Sequence, residues 1–201
     1  GIVGNYYSSN YNGLNIYNSK ASVDFVVDGD EQGGLVGKHF VVDFEAGFPE
    51  IGSAGSMTIP AIKYSVAQGN IGDTSSSGYN KGGLIGMAMD ADVYRSVANI
   101  NIYGEGRLGG VYGSAHDSAI FENYVKGLIY STSTSTANTF LGGVVGEIYT
   151  SYNSYENFAS LSKIDVEIEY GAADITDCQT AACGLAVGGF TGGFYLSLIH
   201  I

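Results

Sequence analysis

A chain of 201 residues that is 45% apolar has enough hydrophobic surface to bury a core, which argues against a disordered segment. Its 8 Lys and Arg against 20 Asp and Glu leave a net charge of −12, the wrong sign for gripping nucleic acid or an anionic membrane surface. Thirty-one glycines beside 16 tyrosines, two prolines and no tryptophan argue against a helical protein, since glycine weakens helices and Tyr, Val, Ile, Thr and Phe favour strands.

In chain order, the first feature is Gly1-Ile2-Val3-Gly4. It reads as the back of a block that returns at 33–37 as GGLVG, at 82–86 as GGLIG, at 109–113 as GGVYG and at 142–146 as GGVVG, with a weaker copy at 188–192, GGFTG. An opening on a cut block leads us to expect a piece of something longer. Measured between second glycines, the steps are 33, 49, 27, 33 and 46 residues, in the range of repeat architectures. Tyr6, Tyr7 and Tyr11 follow the first block as an aromatic cluster.

Each block leads to a second signature: IYNSKASVDFVV from Ile16, IKYSVAQGNI from Ile62, VYRSVANINIYG from Val93, IFENYVKGLIY from Ile120 and YENFASLSKIDVEIEYG from Tyr155. These predict strands. In the last, Ile164, Val166, Ile168 and Tyr170 alternate with Asp165, Glu167 and Glu169, a buried face and a wet one. The two long steps carry insertions, expected between block and strand around residues 39–60, and after the strand around residues 171–183.

Block, short gap, I-x-N-S-x-A, alternating strand and block again resembles the GLUG repeat of secreted bacterial surface proteins, over residues 1–192. The resemblance implies an all-β protein, a parallel β-solenoid (β-helix) of about five coils with two loop insertions, exported and often set within adhesin-like proteins. The two long steps and the degenerate last copy depart from a regular coil. If each repeat is one turn, equivalent residues stack about 4.8 Å apart. Leu35, Leu84, Val111 and Val144 then form an internal ladder. Gly34, Gly37, Gly83, Gly86, Gly110, Gly113, Gly143 and Gly146 are expected to be structural, giving positive φ at tight corners and letting backbones approach. Gly72 is expected to be an ordinary loop glycine.

Asp24, Asp28, Asp30 and Glu31 form a possible calcium cluster or, alternatively, a solvated acidic corner; Asp90 and Asp92 read the same way. Calcium is the one cofactor these residues suggest. Gly104-x-Gly106-x-x-Gly109 has the spacing of a dinucleotide fingerprint but no helix is expected after it, so it reads as a turn. Ser114, His116 and Asp117 are adjacent in sequence, unlike the members of most triads. Residues 131–139, STSTSTANT, read as a polar loop or strand edge. Tyr149, Tyr152 and Tyr155 are candidates for stacking on a sugar or a protein partner. Given export, Cys178 and Cys183 would close a short disulfide loop; free thiols or half a metal site are the alternatives. The tail 193–201 is degenerate, and its LSLIHI resembles sequencing-adapter read-through.

The function expected is a stalk or display scaffold at the bacterial cell surface or outside the cell. It would bind a glycan or protein on another cell, with no nucleic acid and no membrane insertion. The alternative is a β-helix enzyme, or an accessory module of one, acting on polysaccharide or protein, with carboxylates such as Asp165, Glu167 and Glu169 on an outer face.

Overall fold

The computed structural model describes residues 1–8, 14–26, 28–41, 61–89, 91–116, 118–134, 138–150, 159–160, 162–171 and 185–196. Among them every regular element is a strand. In chain order these are β1 (Val3–Ser8), β2 (Ile16–Tyr17) and β3 (Lys20–Phe25), then β4 (Val36–Val41), β5 (Ala61–Lys63), β6 (Val66–Ile71) and β7 (Lys81–Gly82). The next are β8 (Ile85–Met89), β9 (Asp92–Tyr94), β10 (Val97–Gly104) and β11 (Arg107–Gly109), then β12 (Tyr112–His116), β13 (Ile120–Phe121), β14 (Tyr124–Ser131) and β15 (Thr139–Gly142). The last are β16 (Val145–Thr150), β17 (Ala159–Ser160), β18 (Lys163–Tyr170), β19 (Leu185–Gly188) and β20 (Thr191–Leu196).

The strands form four sheets, and every pairing is parallel. The first sheet takes the strand after each block, in the order β1-β4-β8-β12-β16-β20. The second takes the short strands β2-β5-β9-β13-β17, the third β3-β6-β10-β14-β18, and the fourth the strand entering each block, β7-β11-β15-β19. Equivalent residues of successive repeats are direct partners: Val36, Ile85, Tyr112, Val145 and Thr191 run in one row across the first sheet. Ala21, Ala67, Ala98, Val125 and Ile164 form one in the third.

The core is a set of such rows. Leu35, Leu84, Val111 and Val144 are fully buried, as the ladder requires, and Phe190 packs partly buried against their cluster. Alternation along β18 also holds: Asp165, Glu167 and Glu169 are exposed while Val166, Ile168 and Tyr170 pack on the core. Ile164 is 36% exposed, at the end of its sheet, where no further strand among the described residues covers it.

The block glycines act by proximity, not by φ. None of them has a positive φ; the described glycines that do are Gly69, Gly72, Gly106 and Gly127. A methyl group on the second glycine would collide with the backbone carbonyl of its counterpart in the next repeat: Gly34 on Gly83, Gly83 on Gly110, Gly110 on Gly143 and Gly143 on Gly189. The same methyl would strike Ala67, Ala98, Val125 or Ile164 across the interior. The last glycine of a block lies under the segment entering the preceding block: Gly86 against Glu31 and Gln32, Gly113 against Asn80 and Lys81, Gly146 against Arg107 and Leu108.

Left-handed corners fall instead on other residue types. Asn18, Tyr64, Arg95 and Glu122, with φ of 47°, 54°, 45° and 51°, make the turn between the second and third sheets. Gly72 is also not a permissive loop glycine. Its φ is +77° and a Cβ there would stand 2.5 Å from the carbonyl oxygen of Tyr103.

The first insertion starts later than expected, because His39 to Val41 continue β4. Its residues 42–60, most of the second insertion (172–184) and the tail beyond Leu196 lie outside the described residues. Gly193 to Leu196 complete β20 and pair in register with Glu147 to Thr150.

Candidate functional site

The carboxylates grouped in sequence are separated by the jobs they do. Asp28 accepts a hydrogen bond from the Ser77 amide at 2.8 Å, and Asp30 one from the Tyr79 amide at 2.9 Å, so both tie one repeat's corner to the next. Glu31 pairs with Lys38 at 2.5 Å. Asp24 accepts from Asn70, whose own amide oxygen accepts from Asn101, an outward polar row on the third sheet. Among the described residues no three His, Cys, Asp or Glu converge as metal ligands. Asp92 overturns the solvated reading: it is buried, accepting from the Ala119 amide and the Tyr94 hydroxyl, both at 2.8 Å. Burial raises its carboxyl above the usual range, and burial plus the bond to Asp92 pushes the Tyr94 phenol up to about 12. Asp90 lies outside the described residues.

Several polar side chains that look reactive in sequence serve the interior. His39 is buried, takes the Leu14 amide on Nε2 and faces the Met89 carbonyl through Nδ1, both at 3.3 Å. Those partners suit a neutral ring, and burial lowers its basicity. Lys81 is fully buried in the row that holds Leu108 and Leu141, and its ammonium donates to the Tyr103 carbonyl at 2.9 Å. Burial lowers its pKa against the opposing pull of Asp28, Asp30, Asp73 and Glu105. Tyr112 crosses the interior to the Ala91 carbonyl at 2.5 Å.

Ser114 is buried in β12 and His116 stacks flat on Tyr149, with centroids 4.5 Å apart and planes at 9°. Asp117 lies outside the described residues. Ser131, Ser133 and Thr139 are buried where β14 ends and β15 begins, and Thr132 donates to the Ser76 carbonyl at 2.5 Å. The described residues of that stretch form a packed junction, while residues 135–137 lie outside the described residues. Gly106 turns into β11 with no helix after it.

Two outward rows bear aromatic rings. On the first sheet Tyr7, Phe40, Met89, His116 and Tyr149 are successive partners. Tyr149 accepts from Arg107 at 3.1 Å, and Arg107 also pairs with the buried Glu147. This candidate is therefore half-buried and held in a wall, while Tyr11, Tyr152, Tyr155, Cys178 and Cys183 lie outside the described residues. On the second sheet Tyr17, Lys63, Tyr94 and Phe121 are partners, with Lys63 over the rings of both tyrosines and Tyr94 stacked on Phe121 at 5.8 Å.

The feature that sequence reading passed over is the serine of the N-S signature. Ser65 Oγ accepts from the Ser19 amide at 3.2 Å and donates to the Lys63 carbonyl at 2.9 Å. Ser96 repeats both bonds with the Ser65 amide and the Tyr94 carbonyl. Asn123 does the same with the Ser96 amide and the Val93 carbonyl. This satisfies buried amides at a corner where sheet pairing is interrupted. The recurrence of Ser19, Ser65 and Ser96 at one position of the repeat was the available signal.

At the β1 edge a cleft of about 340 Å³ opens beside Gly1, Phe25, Gln32 and Gly37, where the rows lack a further partner strand. No described helix is long and apolar enough to cross a membrane. Comparison with family models, curated proteins and solved structures finds no match to this chain.

Proposed function

We propose that the chain is a β-solenoid segment of an exported bacterial surface protein, a GLUG-type stalk that displays its outer rows for attachment to a glycan or protein on another cell. The observation that carries this reading is the register: in all four sheets, equivalent residues of successive repeats sit directly beside one another. Each turn of chain then covers the apolar edge of the one before, and length is added without adding a new core. The groups best suited to chemistry, Asp92, His39, Lys81 and Glu147, are buried and engaged in cross-links, which supports a scaffold over an enzyme. The exposed rows of rings and long polar side chains are the surface offered to a partner.

The test is adhesion. Beads coated with the purified chain are scored for attachment to immobilised polysaccharides and to cell layers, beside blank beads and beads coated with heat-denatured chain. Attachment that requires folded chain is expected. Attachment no better than blank beads ends the adhesive reading, and release of reducing sugar or peptide from the same surfaces would replace it with the enzymatic one.

A further inference from the structure

We infer that the corner between the second and third sheets is a binding ridge for an acidic polysaccharide, a chain of pyranose rings bearing carboxylates or sulfates. The inference rests on the adhesive reading and assigns its surface and ligand class.

Charge points there first. The chain holds 8 cations in a net of −12, and four of them, Lys20, Lys63, Arg95 and Lys163, lie in the three outward rows flanking this corner. Glu122 is the one carboxylate in the described residues of those rows. It pairs with Arg95, which remains 58% exposed at its side chain, leaving guanidinium donors for a ligand. Lys20 and Lys163 are exposed. An anion reaching this protein is repelled over most of its surface and attracted here.

Ring faces supply the second argument. Tyr17 and Tyr64 are 50% and 51% exposed, and Tyr94 and Phe121 continue the row that Tyr17 and Lys63 begin. Cations and rings thus stand side by side at the strand spacing of about 4.8 Å, with Lys63 between Tyr17 and Tyr94 on the second sheet and Arg95 against Tyr64 at the corner. A pyranose presents an apolar face to a tyrosine while its carboxylate meets the neighbouring ammonium or guanidinium. An acidic peptide meets the charges but offers no ring-sized apolar face to the half-exposed Tyr17 and Tyr64, which favours the sugar. The corner also holds its shape without a ligand, because the left-handed residues Tyr64 and Arg95 are each followed by a serine of the buried hydroxyl row. Ordering cost on binding is correspondingly small.

The experiment measures affinity of the full chain for polygalacturonate, chondroitin sulfate, neutral dextran and poly-glutamate at low and physiological salt. The wild type is compared with Arg95→Gln, Lys63→Gln and Tyr64→Ala, each checked for an unchanged thermal midpoint; Lys20→Gln replaces any variant that fails that check. Expected are salt-sensitive binding to one or both acidic polysaccharides, weak binding to dextran and poly-glutamate, and a loss of about two- to fivefold per substitution. Preference between the two acidic chains identifies the anion as carboxylate or sulfate. Equal binding of poly-glutamate overturns the polysaccharide assignment. Polysaccharide binding untouched by all the variants overturns the ridge while leaving adhesion in place, and folded-chain-dependent attachment of beads with no acidic polysaccharide bound overturns the ligand class alone.

Discussion

A methyl group added to Gly110 would meet Val125 Cγ1 on one side and the Gly143 carbonyl on the other, so it has no direction in which to relax. Overpacking of this kind costs about 1–3 kcal/mol, and more when backbone must move. Gly4 is the proper contrast, being exposed with nothing within 4 Å of an added Cβ. Gly110→Ala is expected to lower the urea midpoint by an amount matching that cost, while Gly4→Ala stays within about 0.5 kcal/mol of the parent. Equal midpoints for the two would show that the close approach of repeats is not what the glycines serve. Gly72 cannot act as the tolerant control, since its positive φ and its contact with Tyr103 penalise any side chain.

Between strands, the hydroxyl row at the corner does what sheet pairing does elsewhere. β5 and β6 are separated by Tyr64 and Ser65, and there the amide of Ser65 finds Ser96 Oγ in place of a carbonyl. Ser96→Ala removes that acceptor and strands a buried amide, a loss of about 1–3 kcal/mol. Ser22→Ala, at an exposed site bonded only to Gln68 in the described surroundings, is expected to cost under about 0.5 kcal/mol. Hydrogen exchange should localise the effect, with the Ser65 amide exchanging faster in Ser96→Ala. An unaltered Ser65 rate would mean that the bond contributes nothing to holding the corner.

For the molecule as a whole, stability resides in contacts between neighbouring repeats, and the repeat is therefore the unit that can be removed. Gly83 and Gly110 are equivalent and 27 residues apart, so excising residues 83–109 joins Gly82 to Gly110 with every inward residue still facing inward. The shortened chain is expected to retain its strand-type circular dichroism and a cooperative heat transition, at lower stability because one layer of core is gone. A deletion three residues shorter shifts the following strands by an odd number and turns their apolar faces outward. That chain is expected to lose the transition. If both deletions behave alike, register between repeats is not what builds the core.

The sequence by itself determined the strands of the second signature and the inner rows, because a repeated block satisfies its glycines and its apolar residues by lying against its own copies. Leu35, Leu84, Val111 and Val144 were legible for that reason, as was the alternation of β18. The tertiary structure decided which polar groups are buried. Asp92 read as solvated beside Asp90, yet it is inside, as are Lys81 and Glu147. Their burial depends on partners remote in sequence: Ala119 for Asp92, Tyr103 for Lys81 and Arg107 for Glu147. The tertiary structure also brought Lys20, Lys63, Arg95 and Lys163 to one corner, for they are scattered along the chain and share a side only when strand pairing stacks their repeats.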